Sequence, residues 1–113
     1  MPAAEPRPGG RIARHGGYVM AGYWIVKGGA IRDQAAYDEY ARRWGPVAER
    51  FGARILNVGG RLDAREGEWG RSVIVEFPSF EQAVACYEDE EYQASLPFAH
   101  KAYERDLAIV EGT

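Results

Sequence analysis

Glu76 is the residue whose surroundings pose the sharpest chemical question. It stands in the run Ser72-Val73-Ile74-Val75-Glu76-Phe77, where a carboxylate among branched apolar residues is costly unless hydrogen-bonded or ion-paired, and where burial disfavours its charged form. Facing a cavity, such a group would serve as a general base or as a hydrogen-bonding anchor for a ligand. The structural alternative is an ion pair, with Arg54 as a candidate partner, or a carboxylate that caps the amides of the following helix. The aromatic set Tyr23, Tyr37, Tyr40, Trp44, Tyr87 and Tyr92 is richer than a minimal core requires. Its phenols need partners when buried. One reading is an apolar, π-rich cavity that takes a small aromatic or quinone-like molecule. The other is ordinary packing, which helical spacing favours for Tyr37, Tyr40 and Trp44. Trp69, in a polar turn, reads as a dimer contact or an edge cover.

Other chemistries lack their residues. The two histidines are His15 and His100 and the single cysteine is Cys86, so no ligand set for zinc or non-haem iron is present, and neither metal nor cofactor is expected. Cys86, between Ala85 and Tyr87 with no histidine nearby in sequence, reads as a buried, unreactive thiol. Gly28-Gly29 and Gly59-Gly60 lack the lysine or the further glycine that a phosphate loop needs.

Composition narrows the class. A chain of 113 residues, 46% hydrophobic and 27% charged, fits one globular domain. Its net charge of −3 argues against nucleic acid, which demands a concentrated basic face. Arg42, Arg43, Arg50 and Arg54 do cluster, but acidic neighbours dilute them. A lone cysteine precludes an intrachain disulfide and suits a reducing compartment. With no apolar run near the ~20 residues of a membrane span and no leader pattern, the expected location is the cytoplasm, without membrane contact. Residues 1–19 hold Pro2, Pro6, Pro8 and several glycines with almost nothing to bury; they read as a disordered arm, an upstream extension or tag, ahead of one domain over 20–113.

The elements that must position these groups follow in order. Gly22 to Lys27 is aromatic and β-branched and reads as a strand. Asp33 is an N-cap, and Tyr37, Tyr40, Ala41, Trp44, Val47 and Phe51 form one helical face, with a kink expected at Gly45-Pro46 and a stop at Gly52. Ala53 to Val58 is a second strand; Gly59-Gly60 suggests a bulge or a close backbone approach. Arg61 to Glu66 could extend that strand toward a turn at Gly67 to Gly70. Ser72 to Phe77 is a third strand, ended by Pro78. Ser79 to Gln82 matches a capping box, and Asp89 restarts the helix after an acidic patch. Leu107 to Glu111 is the last strand. The order β-α-β-β-α-β defines a ferredoxin-like α+β fold with a four-stranded antiparallel sheet and helices on one face.

Three strands are apolar at consecutive positions: Trp24-Ile25-Val26, Val73-Ile74-Val75 and Leu107-Ala108-Ile109-Val110. Half-solvated sheets alternate instead. Both faces therefore need cover, and the simplest cover for the second is the same face of another copy, which predicts a homodimer. The site is then expected on the helix side, with Glu76 in it.

Gly22-Tyr23-Trp24-Ile25, Tyr37-Asp38-Glu39-Tyr40, Val58-Gly59-Gly60, Glu66-Gly67-Glu68-Trp69, Val75-Glu76-Phe77-Pro78-Ser79, Tyr87 through Ala94 and Ile109-Val110-Glu111-Gly112 resemble the domain-of-unknown-function family 1330, over essentially the whole of Met20 to Gly112. The resemblance implies the dimeric α+β barrel superfamily, in which two ferredoxin-like sheets pack face to face. That superfamily also holds cofactor-free monooxygenases, muconolactone isomerase-like enzymes, haem-degrading enzymes and stress-response proteins, so it fixes no chemistry. Haem-binding relatives use a helix histidine, which makes His100 a haem candidate; the plainer reading is a partly exposed helix residue. The expected function is binding of a small aromatic or apolar molecule in a pocket drawn from Tyr23, Tyr40, Trp44, Arg54, Tyr87 and His100. Its rivals are cofactor-independent oxygenation or isomerisation of a small aromatic, quinone or lactone, with Glu76 as base, and a structural or stress-associated dimer without turnover.

Overall fold

The computed structural model describes residues 11–12 and 18–113 of the chain. Two short strands, β1 (Arg11–Ile12) and β2 (Tyr18–Val19), pair antiparallel ahead of the main domain. Most of the expected disordered arm over 1–19 lies outside the described residues. The domain then runs β3 (Gly22–Gly28), α1 (Gln34–Arg50), β4 (Arg54–Val58), β5 (Arg71–Phe77), α2 (Phe80–Glu88), α3 (Glu90–Ala102) and β6 (Arg105–Glu111). The strands form one antiparallel sheet in the order β4-β5-β3-β6, which is the ferredoxin-like arrangement with the second helical segment split in two.

The helix boundaries follow from local chemistry. Asp33 accepts from the Ala36 amide at 2.9 Å and Ser79 from the Gln82 amide at 3.1 Å, each satisfying a first-turn donor that has no partner within its helix. Asp89 ends α2 and caps α3, accepting from the amides of Glu91 and Tyr92. Gly52 closes α1 in the left-handed region at φ 68. α1 continues across Pro46; Gly45 and Pro46 are exposed, so water can reach the carbonyl that proline leaves unpaired. β4 stops at Val58, and the extension expected over Arg61 to Glu66 does not form. Those residues are all exposed, and a charged segment at a sheet edge has no apolar face to bury.

Register fixes the two faces. Trp24 pairs with Val75 and Ile109, and Val26 with Val73 and Leu107. This set faces the helices: Trp24, at 1% exposure, donates its indole N–H to the Ala83 carbonyl of α2 at 2.9 Å. Tyr92, Phe77 and Trp44 pack on its ring with centroids 4.9–5.0 Å away. The alternate set, Tyr23, Ile25, Ile74, Glu76, Ala108 and Val110, faces away from the helices.

Candidate functional site

The helix side of the sheet carries two cations. Arg71 opens β5 in phase with Val73 and Val75, and Arg105 opens β6 in phase with Leu107 and Ile109. Both pair with Gly28 of β3, one from each side. Gly28 presents no side chain between them, and the Tyr103 ring takes that space, since a Cβ on Gly28 would lie 2.7 Å from it. The Arg71 guanidinium sits over Tyr37 at 4.9 Å and Tyr103 at 5.4 Å; that of Arg105 sits over Tyr40 at 5.4 Å and Tyr103 at 5.9 Å. These are cation–π distances.

The phenols complete the cluster. Arg71 Nη2 donates to Tyr37 Oη at 2.7 Å, and Arg105 Nη2 to Tyr92 Oη at 3.2 Å. The hydroxyls of Tyr40 and Tyr92 share a hydrogen bond at 2.9 Å. Burial pushes the Tyr92 and Tyr103 phenols above their ordinary pKa, so both are neutral. Burial also works against the Arg105 cation, but the oxygens of Tyr40 and Tyr92 outweigh it and hold its pKa above the ordinary arginine value. The guanidinium therefore stays charged. Arg71 Nη1 is sealed from solvent and has no hydrogen-bond partner among the described residues. Gly59, with φ 59, lets the backbone approach this guanidinium; a Cβ there would lie 3.1 Å from Arg71 Nε. The neighbours of Gly59 are thus side-chain atoms, and the register shift in this strand pair falls at Ile55/Asn57, not at Gly59-Gly60.

A cavity of ≈ 50 Å³ lies among these groups, between α1 and strands β3, β4, β5 and β6. Its floor is Trp24, Val26, Val73 and Val75, and its polar wall is the arginine–tyrosine cluster. Ile55, 52% exposed, and Val58, 46% exposed, stand at its edge on β4. At about 10–15 Å³ per ordered water, the enclosed part holds roughly one small polar head group, while the apolar rim continues outward.

Of the expected pocket residues, Tyr40 and Trp44 line this cavity. Tyr87 packs against Trp24 and Tyr92 in the adjoining aromatic cluster, with centroids at 6.0 and 5.4 Å, but does not line it. The placement of Glu76 on the helix side is corrected by the register, which aligns it with Tyr23 and Arg54 on the opposite face. There Tyr23 Oη donates to Glu76 Oε2 at 3.1 Å and Arg54 Nη1 approaches Oε1 at 3.9 Å. Tyr23 and Arg54 are thus not walls of the same pocket as Tyr40. His100, exposed on α3, borders an open groove with Lys27, Trp69 and Glu104 that shares Tyr103 and Arg105 with the cavity, and its carbonyl accepts from Arg32 Nη2 at 2.9 Å.

Cys86 is fully buried, and burial pushes its thiol up to about 12, which keeps it protonated. Among the described residues no group of three or more His, Cys, Asp or Glu side chains could hold a metal. No described helix is long and apolar enough to cross a membrane. Sequence reasoning missed Arg71, Arg105 and Tyr103. The available signal was phase: each arginine sits two residues before an apolar residue of the buried face.

This geometry defines a ferredoxin-like α+β protein with a basic, aromatic pocket under its helices. Residues 21–113 match the model of the domain of unknown function DUF1330, and the chain belongs to that family. No curated protein matches it. Among solved structures it is similar to the methylated RPA0582 protein of Rhodopseudomonas palustris, a protein of unknown function, at 21% identity and TM-score 0.65, covering 84% of this chain and 82% of that one. A provisionally assigned antibiotic biosynthesis monooxygenase from Nitrosomonas europaea matches at 18% identity and TM-score 0.56, covering 82% and 89%. A dimeric protein of unknown function from Bacteroides fragilis with a ferredoxin-like fold matches at 15% identity and TM-score 0.50, covering 82% and 96%. At these identities the likeness establishes the fold alone.

Proposed function

We propose that the protein is a homodimer in which each protomer binds a small aromatic or apolar molecule between sheet and helices. The observation that carries the binding reading is the cavity itself: a floor of Trp24 and valines, open past Ile55 and Val58. A concave, mostly apolar site with a few convergent polar groups is the general form of a small-molecule pocket. The homodimer rests on the sheet's other face, where Ile25 and Ile74 are half-buried and Val110 is 43% exposed; the dimeric Bacteroides fragilis relative supports it. The dispersed, ion-paired arginines, such as Arg50 with Asp89 and Arg43 with Glu39, support a protein that engages neither nucleic acid nor membrane, and the free, buried Cys86 suits the reducing cytoplasm. Oxygenation or isomerisation with Glu76 as base is disfavoured, because Glu76 and the cavity lie on opposite faces of the sheet.

Titration with neutral phenols, quinones and lactones, followed by thermal shift and by quenching of Trp24 and Trp44 fluorescence, tests the pocket. Saturable binding of at least one class, weakened by Trp44→Ala, is the expected result. A complete lack of binding would leave the purely structural dimer as the better account. Light scattering at micromolar concentration tests the assembly, and a monomeric mass there contradicts it.

A further inference from the structure

The cavity wall poses an electrostatic problem that an apolar ligand alone does not solve. Arg71 and Arg105 flank the same glycine on the same face, and among the described residues no Asp or Glu lines the cavity. Neither arginine forms a salt bridge among the described residues, where Arg32, Arg42, Arg43, Arg50, Arg54 and Arg65 all do. Phenols and ring faces meet part of the need. They leave Arg71 Nη1 buried without an acceptor, and burying a charged donor without one is costly. Two guanidiniums without a carboxylate partner among the described residues, beside a small cavity, are the complement of a planar anion, because the guanidinium fork matches a carboxylate with two parallel hydrogen bonds.

The geometry points to a small organic acid as the ligand class, with its carboxylate against the Arg71 and Arg105 side chains that line the cavity and its apolar body over the rim at Trp44, Ile55 and Val58. This rests on the pocket proposed above and specifies what enters it. The enclosed volume of ≈ 50 Å³ suits a head group of three heavy atoms, and the exposed aliphatic rim suits a ring or short chain leaving it.

The test compares isosteric probes on the full-length protein. Benzoate and phenylacetate are titrated beside benzamide and phenylacetamide by calorimetry, with tryptophan quenching as a second readout. The expected result is at least tenfold tighter binding of each acid than of its amide, with the preference abolished in Arg71→Gln and only partly retained in Arg71→Lys, which keeps the charge but not the fork. Equal binding of acid and amide by the wild type overturns the anion assignment and leaves the pocket standing. Failure of all four probes, together with the neutral phenols, quinones and lactones, overturns the pocket as well. Should Arg71→Gln not fold, the wild-type acid-to-amide ratio decides alone.

Discussion

The two faces of the sheet place charged groups in apolar surroundings and settle them differently. On the face away from the helices, Glu76 is 5% exposed, accepts from Tyr23 and lies within ion-pair reach of Arg54. On the helix face, Arg71 and Arg105 meet phenols and ring faces, and among the described residues one guanidinium nitrogen of Arg71 has no acceptor. A compensated charge of this kind is sufficiently explained by structure, since removing one partner would strand the other. An uncompensated one signals a missing counterpart. The difference moves attention from the carboxylate, which is conspicuous in the sequence, to the two arginines, which are not.

The faces should also fail differently when their apolar residues are changed. Trp24 is the hub of the helix face, and Trp24→Ala should cost about 3–5 kcal/mol, the range for large aromatic deletions in a core, measured by urea unfolding. Ile74→Asp places a charge on the opposite face, between Ile25 on β3 and Asn57 on β4. The expected outcome is a halved mass by light scattering with the far-ultraviolet circular dichroism retained. If Ile74→Asp instead stays dimeric, the second copy must sit elsewhere.

Glu76→Ala comes next in size, at about 1–3 kcal/mol for a hydrogen-bonded buried acceptor. Its sharper readout is ligand affinity. Because the sheet separates Glu76 from the cavity, Glu76→Gln should leave the binding of any pocket probe unchanged within twofold. A tenfold loss would mean that the two faces communicate.

Why the arginines escaped a reading of the sequence is instructive. Caps were legible because they are local: Asp33, Ser79, Asp89 and Gly52 each act within a few residues. The two-sided strands were legible too, as was the pairing of Glu76 with Arg54 as one alternative. Which face of Ser72 to Phe77 meets the helices was not, because alternation cannot choose between Val73-Val75-Phe77 and Ser72-Ile74-Glu76 when both contain branched apolar residues. Only the pairing with Trp24, whose indole reaches α2, decides it. Arg71 and Arg105 were lost at strand ends: the sequence suggests starts at Ser72 and Leu107, whereas the strands begin at Arg71 and Arg105. Carrying the period of two back by one or two residues would have put both on the buried face.

A matched pair of glycines sharpens the distinction between backbone strain and site geometry. Gly59 and Gly67 have φ 59 and 80, so alanine at either should cost about 1–2 kcal/mol from the left-handed backbone. Their surroundings differ, because the added Cβ meets Arg71 Nε at 3.1 Å at position 59 but only Trp69 Nε1 at 3.6 Å, an ordinary contact, at position 67. Gly59→Ala should therefore also reduce the acid-over-amide preference, and Gly67→Ala should lose stability alone. Equal effects on binding would show that the Gly59 contact does not position Arg71.

Arg54→Ala should have the smallest effect. The Arg54 side chain is 72% exposed and its contact with Glu76 spans 3.9 Å, a distance and exposure at which ion pairs contribute about 0–1 kcal/mol. Arg71→Gln, by contrast, removes a guanidinium whose Nη1 is buried and should change the acid-to-amide ratio by at least tenfold. One arginine on each face thus provides a direct contrast, read by urea unfolding and by probe titration on the same two variants. Arg54→Ala should leave both readouts nearly where they were. If it weakens benzoate binding as much as Arg71→Gln does, the acid is bound on the Glu76 face and the distinction between the two faces is wrong.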